Sequence, residues 1–531
     1  MKILFVKTKL SNRTLGGVDY SLCEPLEFEL LAAALPDHDV RILDLRFDSN
    51  FEETIQRFSP DIVATTSMSV NVYAAREILK RTKDLDPSIT TLVGGYHPTV
   101  APEDFSESYI DAIAIGQSVD TIREVVRALE KRLPLATVPG LAIPEDNEKV
   151  TLTPKRPRVF DLDSQPIPNR SLNLHHRKYY FCEYWQPAAI MRASIGCHGR
   201  CNFCALWHLT DGKYLTHSAA RVVNEIESIP EKYIFFIDDN FLPDGHEKRI
   251  EAIRTEIMAR NLEKEYYFST RADYVADHPE VIERWVDAGF RRIFFGLESP
   301  DDGRLKALNK GITADANRTA VNICQANGVD VTACFIIQPD FTEEDFLRVY
   351  EYAIGLKLNI VAYLVLTPHP GTILHAQRQN EIVHPDYELW DHLHSVFKTS
   401  LPEREFYSQY SRLWMKTYTP ITIDGGKRFS RLLWRSTWMQ KKFLCKKAVT
   451  MFPKIALGTD SNREASFANW LNWASGGLRR WRSGDDTTES YQVPTPPQSL
   501  LPSLRKPSNQ IRPLARGLEK AGGLARKELL G

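Results

Sequence analysis

The chain has 531 residues, 43% hydrophobic and 25% charged, the balance of an ordinary globular protein with room for two or three domains. A formal net charge of −1 gives no global attraction to nucleic acid, so no nucleic-acid partner is expected. No uncharged apolar run is long enough to span a membrane, and Met1-Lys2-Ile3-Leu4-Phe5-Val6-Lys7 is charged too early for a secretory leader, so a cytoplasmic protein is expected.

Residues 1–140 alternate between short apolar strands and helices. Strands are predicted at 3–6, 40–45, 61–66, 90–95 and 111–116, with helices at 24–35 and 119–131. Apolar strands alternating with helices predict an α/β fold with a doubly wound parallel sheet. Such a sheet binds ligands beyond the carboxyl ends of its strands. Gly94, Gly95 and His97 follow one such end and Gly116 another, and the glycines would let a bulky ligand approach the backbone. Residues 141–188 read as a connector, broken by Pro154, Pro157, Pro166, Pro168 and Pro187. Residues 189–375 alternate again, as a partial (β/α) barrel with polar groups just past each strand: Asp238-Asp239-Asn240, Ser269 to Arg271, Glu298-Ser299 and Gln338. Residues 376–475 read as helical. Within them, 427–447 carry eight basic and no acidic residues beside Trp434 and Trp438. That segment reads either as a peripheral membrane contact or as a helix docked on the barrel. Residues 476–531 are rich in Gly, Pro, Ser and charge and are expected to be mostly disordered.

The chemistry concentrates in Cys197, Cys201 and Cys204, spaced C-x3-C-x2-C with Phe203 before the last cysteine. Three thiolates in one tight loop can hold three irons of a [4Fe-4S] cluster and leave the fourth open to a ligand. Zinc with His198 or His208 as fourth ligand is the alternative, but zinc sites usually draw their ligands from two separate knuckles. Cys23, Cys182, Cys324, Cys334 and Cys445 are scattered and read as buried thiols.

This loop resembles the signature of the radical SAM superfamily, in which the open iron chelates S-adenosylmethionine (SAM). The resemblance implies that Phe203 packs near the adenine. It implies that Asp238 and Asp239 stand where the family's Gly-Gly-Glu segment meets the methionyl amine. Ser269 and Arg271 would then contact the ribose and carboxylate, with Glu298 as a further SAM-facing acid. Residues 93–98 resemble the cobalamin-binding domain that precedes this barrel in many members, which assigns Gly94, Gly95, His97 and Gly116 to cobalamin. Gly116-Gln117-Ser118-Val119 departs from the usual Gly-Glu-Gly-Glu, and the Asp-x-His-x-x-Gly motif is absent. Residues 393–407 are similar to the hopanoid C-3 methylases and to some related cyclases. The whole implies a cobalamin-dependent radical SAM methyltransferase acting on a small molecule or lipid, as a monomer supplied with electrons by a flavodoxin or ferredoxin. A non-methylating cyclase or ring-rearranging enzyme, and a non-catalytic iron–sulfur or zinc protein, are the rival readings.

Overall fold

Strands β1 (Lys2–Lys7), β2 (Asp39–Asp44), β3 (Ile62–Thr66), β4 (Thr90–Gly94) and β5 (Ala112–Ala114) pair in parallel in the order β2-β1-β3-β4-β5. The computed structural model describes residues 1–11, 13–14, 21–145, 149–157, 161–358 and 360–418. The basic segment 427–447 and the tail 476–531 lie outside them.

The strands are continuous apolar runs because helices cover both faces. Leu4, Val6, Val63 and Val93 pack under one helical layer, and Ile3, Phe5, Ile62 and Leu92 under the other. Because β1 lies between β2 and β3, the connections change side there, and a crevice forms beyond their carboxyl ends. The sheet also continues past residue 140. A hairpin of β6 (Leu141–Glu145) and β7 (Lys149–Leu152) adds two antiparallel strands to β5. The short, proline-bearing β6 hid it from the sequence pattern.

The connector is a chain of short turns that buries charge. Arg177 bonds Glu24 at 2.6 Å and also Glu231, while Arg170 bonds Glu225 at 2.8 Å. Asn173 donates to Glu29 at 3.1 Å. Glu24 and Glu29 belong to the first domain, and Glu225 and Glu231 to the barrel, so these two arginines tie the domains together. Burial, reinforced by the charge of Glu24, pushes the Glu29 carboxyl up to about 8.

Six strands follow in sequence order, all parallel: β8 (Ala188–Met191), β9 (Tyr233–Phe236), β10 (Glu265–Ser269), β11 (Phe290–Glu298), β12 (Asp330–Ile337) and β13 (Ile360–Val365). Alternate residues separate cleanly. Ile234, Phe236, Phe268, Ile293 and Phe335 pack under the helices, joined by Phe406 and Tyr410 of the helix Glu403–Tyr418. Tyr233, Tyr267 and Ile360 face inward with Trp185. At the amino ends the interior is stoppered. The Arg292 guanidinium lies 4.1 Å from the Tyr184 ring and 4.7 Å from that of Tyr267, and it bonds Glu183 and Thr332. Above this stopper the inward residues Phe235, Ile237, Phe294, Ala362 and Leu364 are only half-buried, an apolar inner face that other side chains do not fully cover. Among the described residues no helix is long and apolar enough to cross a membrane.

Candidate functional site

The cysteine loop crosses the carboxyl ends of the barrel strands and is pinned from several sides. The Asn202 amide donates to Leu308 O at 3.1 Å and the Asn309 side chain to Arg200 O at 2.6 Å. Trp207 Nε1 donates to Cys201 O at 3.2 Å. The Gly199 amide points at Cys197 Sγ at 3.3 Å, the kind of bond that stabilises a thiolate. Burial pushes the Cys201 thiol up and that of Cys204 to about 12, so both are protonated until a metal displaces the protons. The three sulfurs do not draw within 4.8 Å of one another, as ligands of a single ion would. His198 is exposed at the loop tip, and the His208 side chain lies outside the described residues. Phe203 packs against Leu308, Ile336, Leu366 and Leu374 beneath the loop.

The two-residue strand period separates the paired aspartates. Asp238 points away from the interior, where it accepts the Ala193 amide at 3.0 Å and the Ser194 hydroxyl. Burial raises its carboxyl to about 6. Each oxygen takes one of these bonds, so Asp238 braces the strand against the loop. Asp239 faces inward, and one oxygen holds the Gly196 amide of the cysteine loop at 2.7 Å. Ser269 and Arg271 follow on the same inward face of β10. The Arg271 guanidinium bonds Asp273 and, at 2.9 Å, Lys310 O. A cleft of about 320 Å³ opens here, lined by His198, Arg271, Asp273, Tyr274, Lys310 and Gly311.

Glu298 ends β11 in the left-handed region at φ 62°, and its carboxylate accepts Lys310 Nζ at 2.8 Å. Both side chains are at least nine-tenths buried. A Cβ on Gly296 would strike the Glu298 carboxylate and come to 3.0 Å from Lys310 Nζ, so a side chain there would push the pair aside. The Lys310 charge lies close enough to Cys201 to favour its thiolate. Sequence reasoning missed Lys310, whose one signal is a lone lysine in the turn Asn309-Lys310-Gly311.

At the first sheet, Gly95 adopts φ 107°, and a Cβ there would collide with the Thr66 hydroxyl, so the chain can pass β3 only as glycine. Gly94 lies against Ala114. Gly116 also has a positive φ and open space on its Cβ side. His97 is buried with both ring nitrogens occupied, by Ser69 at 2.9 Å and Asp104 at 2.7 Å. It therefore holds the loop and has no nitrogen left for a cofactor. The strand-order crevice is bridged by Asn71, whose amide reaches Thr8 at 3.0 Å. The sequence reading omitted both residues, although the β2-β1-β3 order points to them.

The two ligand edges face each other. Tyr96 donates to Pro370 O at 2.5 Å, and burial together with the nearby Cys204 raises its phenol. The Ser69 hydroxyl is shared by His97 and by His369 Nδ1 at 3.2 Å, and His369 Nε2 meets His392 Nε2 at 3.1 Å. One proton assignment satisfies the whole chain: His392 donates to His369, His369 to Ser69, Ser69 to His97 and His97 to Asp104. It requires neutral imidazoles. Burial holds His369 well below the usual histidine range, helped by His392. Burial likewise lowers His392, against the pull of Asp391, and His375, with help from His97.

Unfolded imidazoles charge near about 6.5 and these do not, so the unfolded chain binds more protons there. Stability is therefore full above about pH 6.5 and is lost as pH falls below it. We expect the thermal midpoint to drop on acidification from pH 8 to 5.5. Ser69→Ala, which orphans two buried ring nitrogens, should start about 1–3 kcal/mol lower at pH 8. A midpoint indifferent to both changes would sink the assignment.

The residues fit the implied groups. Three thiols beside two cations suit an anionic iron–sulfur cluster, and the open space beside Gly116 suits a flat, bulky cofactor. The segment 393–407, in contrast, packs away from the site: His394 bonds Asp391, and Tyr407 accepts the Ser395 amide at 2.9 Å.

Residues 12–126 match the B12 binding domain and residues 191–353 the Radical SAM superfamily, together just over half of the chain. The hopanoid C-3 methylase of Methylococcus capsulatus is 28% identical over 440 residues, covering 78% of this chain and 83% of the relative. The anaerobic magnesium-protoporphyrin IX monomethyl ester cyclase of Rubrivivax gelatinosus is 26% identical over 397 residues, covering 72% and 71%. The structure of the cobalamin-dependent S-adenosylmethionine radical enzyme OxsB with aqua-cobalamin and S-adenosylmethionine bound shares the fold. Its TM-score is 0.64 at 18% identity, over 89% of this chain and 75% of that one. The chain thus carries a B12-binding domain ahead of a radical SAM domain, the domain pair of a cobalamin-dependent radical SAM enzyme.

Proposed function

We propose that this enzyme methylates an unactivated carbon of a large apolar substrate, of the hopanoid or isoprenoid kind. The observation that carries the reading is the half-buried apolar inner face of Phe235, Ile237, Phe294, Ala362 and Leu364, with the Arg292 cluster at its base. The likeness to the hopanoid methylase supports the same substrate class. When bound, SAM at the cluster supplies a 5′-deoxyadenosyl radical and cobalamin a methyl group. Cys197, Cys201 and Cys204 hold the cluster, and Asp239, Ser269, Arg271 and the Glu298–Lys310 pair orient SAM. The apolar lining grips substrate and excludes water. Gly94, Gly95 and Gly116 admit cobalamin, and the exposed loop tip at His198 and Arg200 offers a docking point for a flavodoxin or ferredoxin.

The test is anaerobic turnover with methyl-labelled SAM and a pentacyclic hopanoid. Label in the lipid supports methylation. 5′-Deoxyadenosine with an unlabelled, oxidised or cyclised product would instead favour the second reading, which the likeness to the cyclase keeps open. Asp239→Asn should weaken SAM binding about tenfold while leaving the thermal midpoint in place. Asp238→Asn should do the reverse, costing about 1–3 kcal/mol through its buried bonds. Equal effects of the two on SAM affinity, by titration, would refute the division of roles.

A further inference from the structure

Away from the cofactor edges, the connector meets the end of β2 at a cluster that the proposed chemistry does not use. His175 and His176 precede Arg177, and Asp48 follows Asp44 by one turn. One ligating atom from each of Asp48, His175 and His176 lies within 4.8 Å of the others, the one such set among the described residues.

His176 is the informative member. Its side chain is more than nine-tenths buried, yet Nδ1 has no partner. Nε2 stands 3.5 Å from the Asp48 carboxylate, beyond a proper hydrogen bond. A buried imidazole nitrogen with no partner is costly. The 3.5 Å gap has a natural explanation. Two ligands each about 2.1 Å from a tetrahedral ion lie about 3.4 Å apart. The His175 and His176 rings adjoin, with centroids 3.9 Å apart. Phe47 stacks on His176 at 4.5 Å and holds its plane. Asp44, the nearest other acid, is occupied by Arg46 and leaves Asp48 free to bind. His175 is exposed, which leaves a path from solvent and room for water as a further ligand.

We infer that Asp48, His175 and His176 form a site for a divalent transition-metal ion, zinc foremost, that clips the connector to the end of β2. Two imidazoles and a carboxylate are a donor set suited to zinc, nickel or copper rather than to magnesium or calcium. The site is independent of the cysteine loop and of the proposed methyl transfer, and its occupant is structural.

The experiment uses protein loaded with cluster and cobalamin, stripped of loosely held metal with a mild chelator, then titrated anaerobically with zinc. The expected result is one tightly held zinc per chain, with iron content unchanged and the thermal midpoint raised. Asp48→Asn and His176→Gln should each weaken zinc binding at least about tenfold, with iron and cobalamin loading unaltered. Should His176→Gln fold poorly, His175→Ala, altered on the exposed side, gives the same reading. No bound zinc in the unaltered protein, or equal zinc affinity in the variants, overturns the site.

Discussion

Cys201→Ala is expected to abolish cluster assembly and 5′-deoxyadenosine formation while leaving a folded protein that still takes up cobalamin. The sulfur is the part of Cys201 that matters to iron, and the loop is held by other atoms. Its carbonyl takes the Trp207 indole, and its neighbours Arg200 and Asn202 are bound by Asn309, Leu308 and Ala307. Loss of one sulfur should cost about 1 kcal/mol of stability, against complete loss of radical chemistry. Iron content, the visible spectrum and a SAM cleavage assay read the three outcomes separately. Cys324→Ala and Cys334→Ala, each in a buried strand or helix position, serve as controls that keep the iron. Iron retained at full stoichiometry in Cys201→Ala would overturn the ligand set.

The largest effect on stability is expected at Arg177, far from the chemistry. Its guanidinium satisfies Glu24 and Glu231, both more than nine-tenths buried. Arg177→Met strands Glu231 and leaves Glu24 only the more distant Arg170, at 3.5 Å, and breaking such a buried pair costs about 3–5 kcal/mol. Because the three partners come from the first domain, the connector and the barrel, the loss should appear as earlier separation of the two halves, in denaturant or by limited proteolysis. Adding Glu231→Gln should return part of the stability by removing one uncompensated charge. A double variant no better than Arg177→Met alone would mean that the electrostatic account is wrong.

Much of this molecule was legible because strand ends announce themselves. Apolar runs followed by Gly94-Gly95, Asp238-Asp239 or Glu298 gave both sheets and most of the polar rim. The same periodicity, applied one step further, separates Asp238 from Asp239, since neighbours on a strand face opposite sides. Lys310 was hidden because its partner is twelve residues away, across a helix and a turn, and nothing local marks a lysine as buried. Ser69, His369 and His392 were hidden for a deeper reason. Each looks ordinary in its own segment, and their meaning arises only where two domains meet. The hairpin at β6 and β7 was masked by Pro144, which reads as a break but is tolerated near a sheet edge.

The stopper of Arg292, Tyr184 and Tyr267 has a kinetic consequence. With that base closed, a bulky reactant must enter elsewhere, and one edge of the strand ends is joined to the first domain through Tyr96, Ser69 and His369. If reactants pass through this seam, its opening meters turnover. A short crosslink across the seam should then slow multiple turnovers yet spare the first turnover of preloaded enzyme.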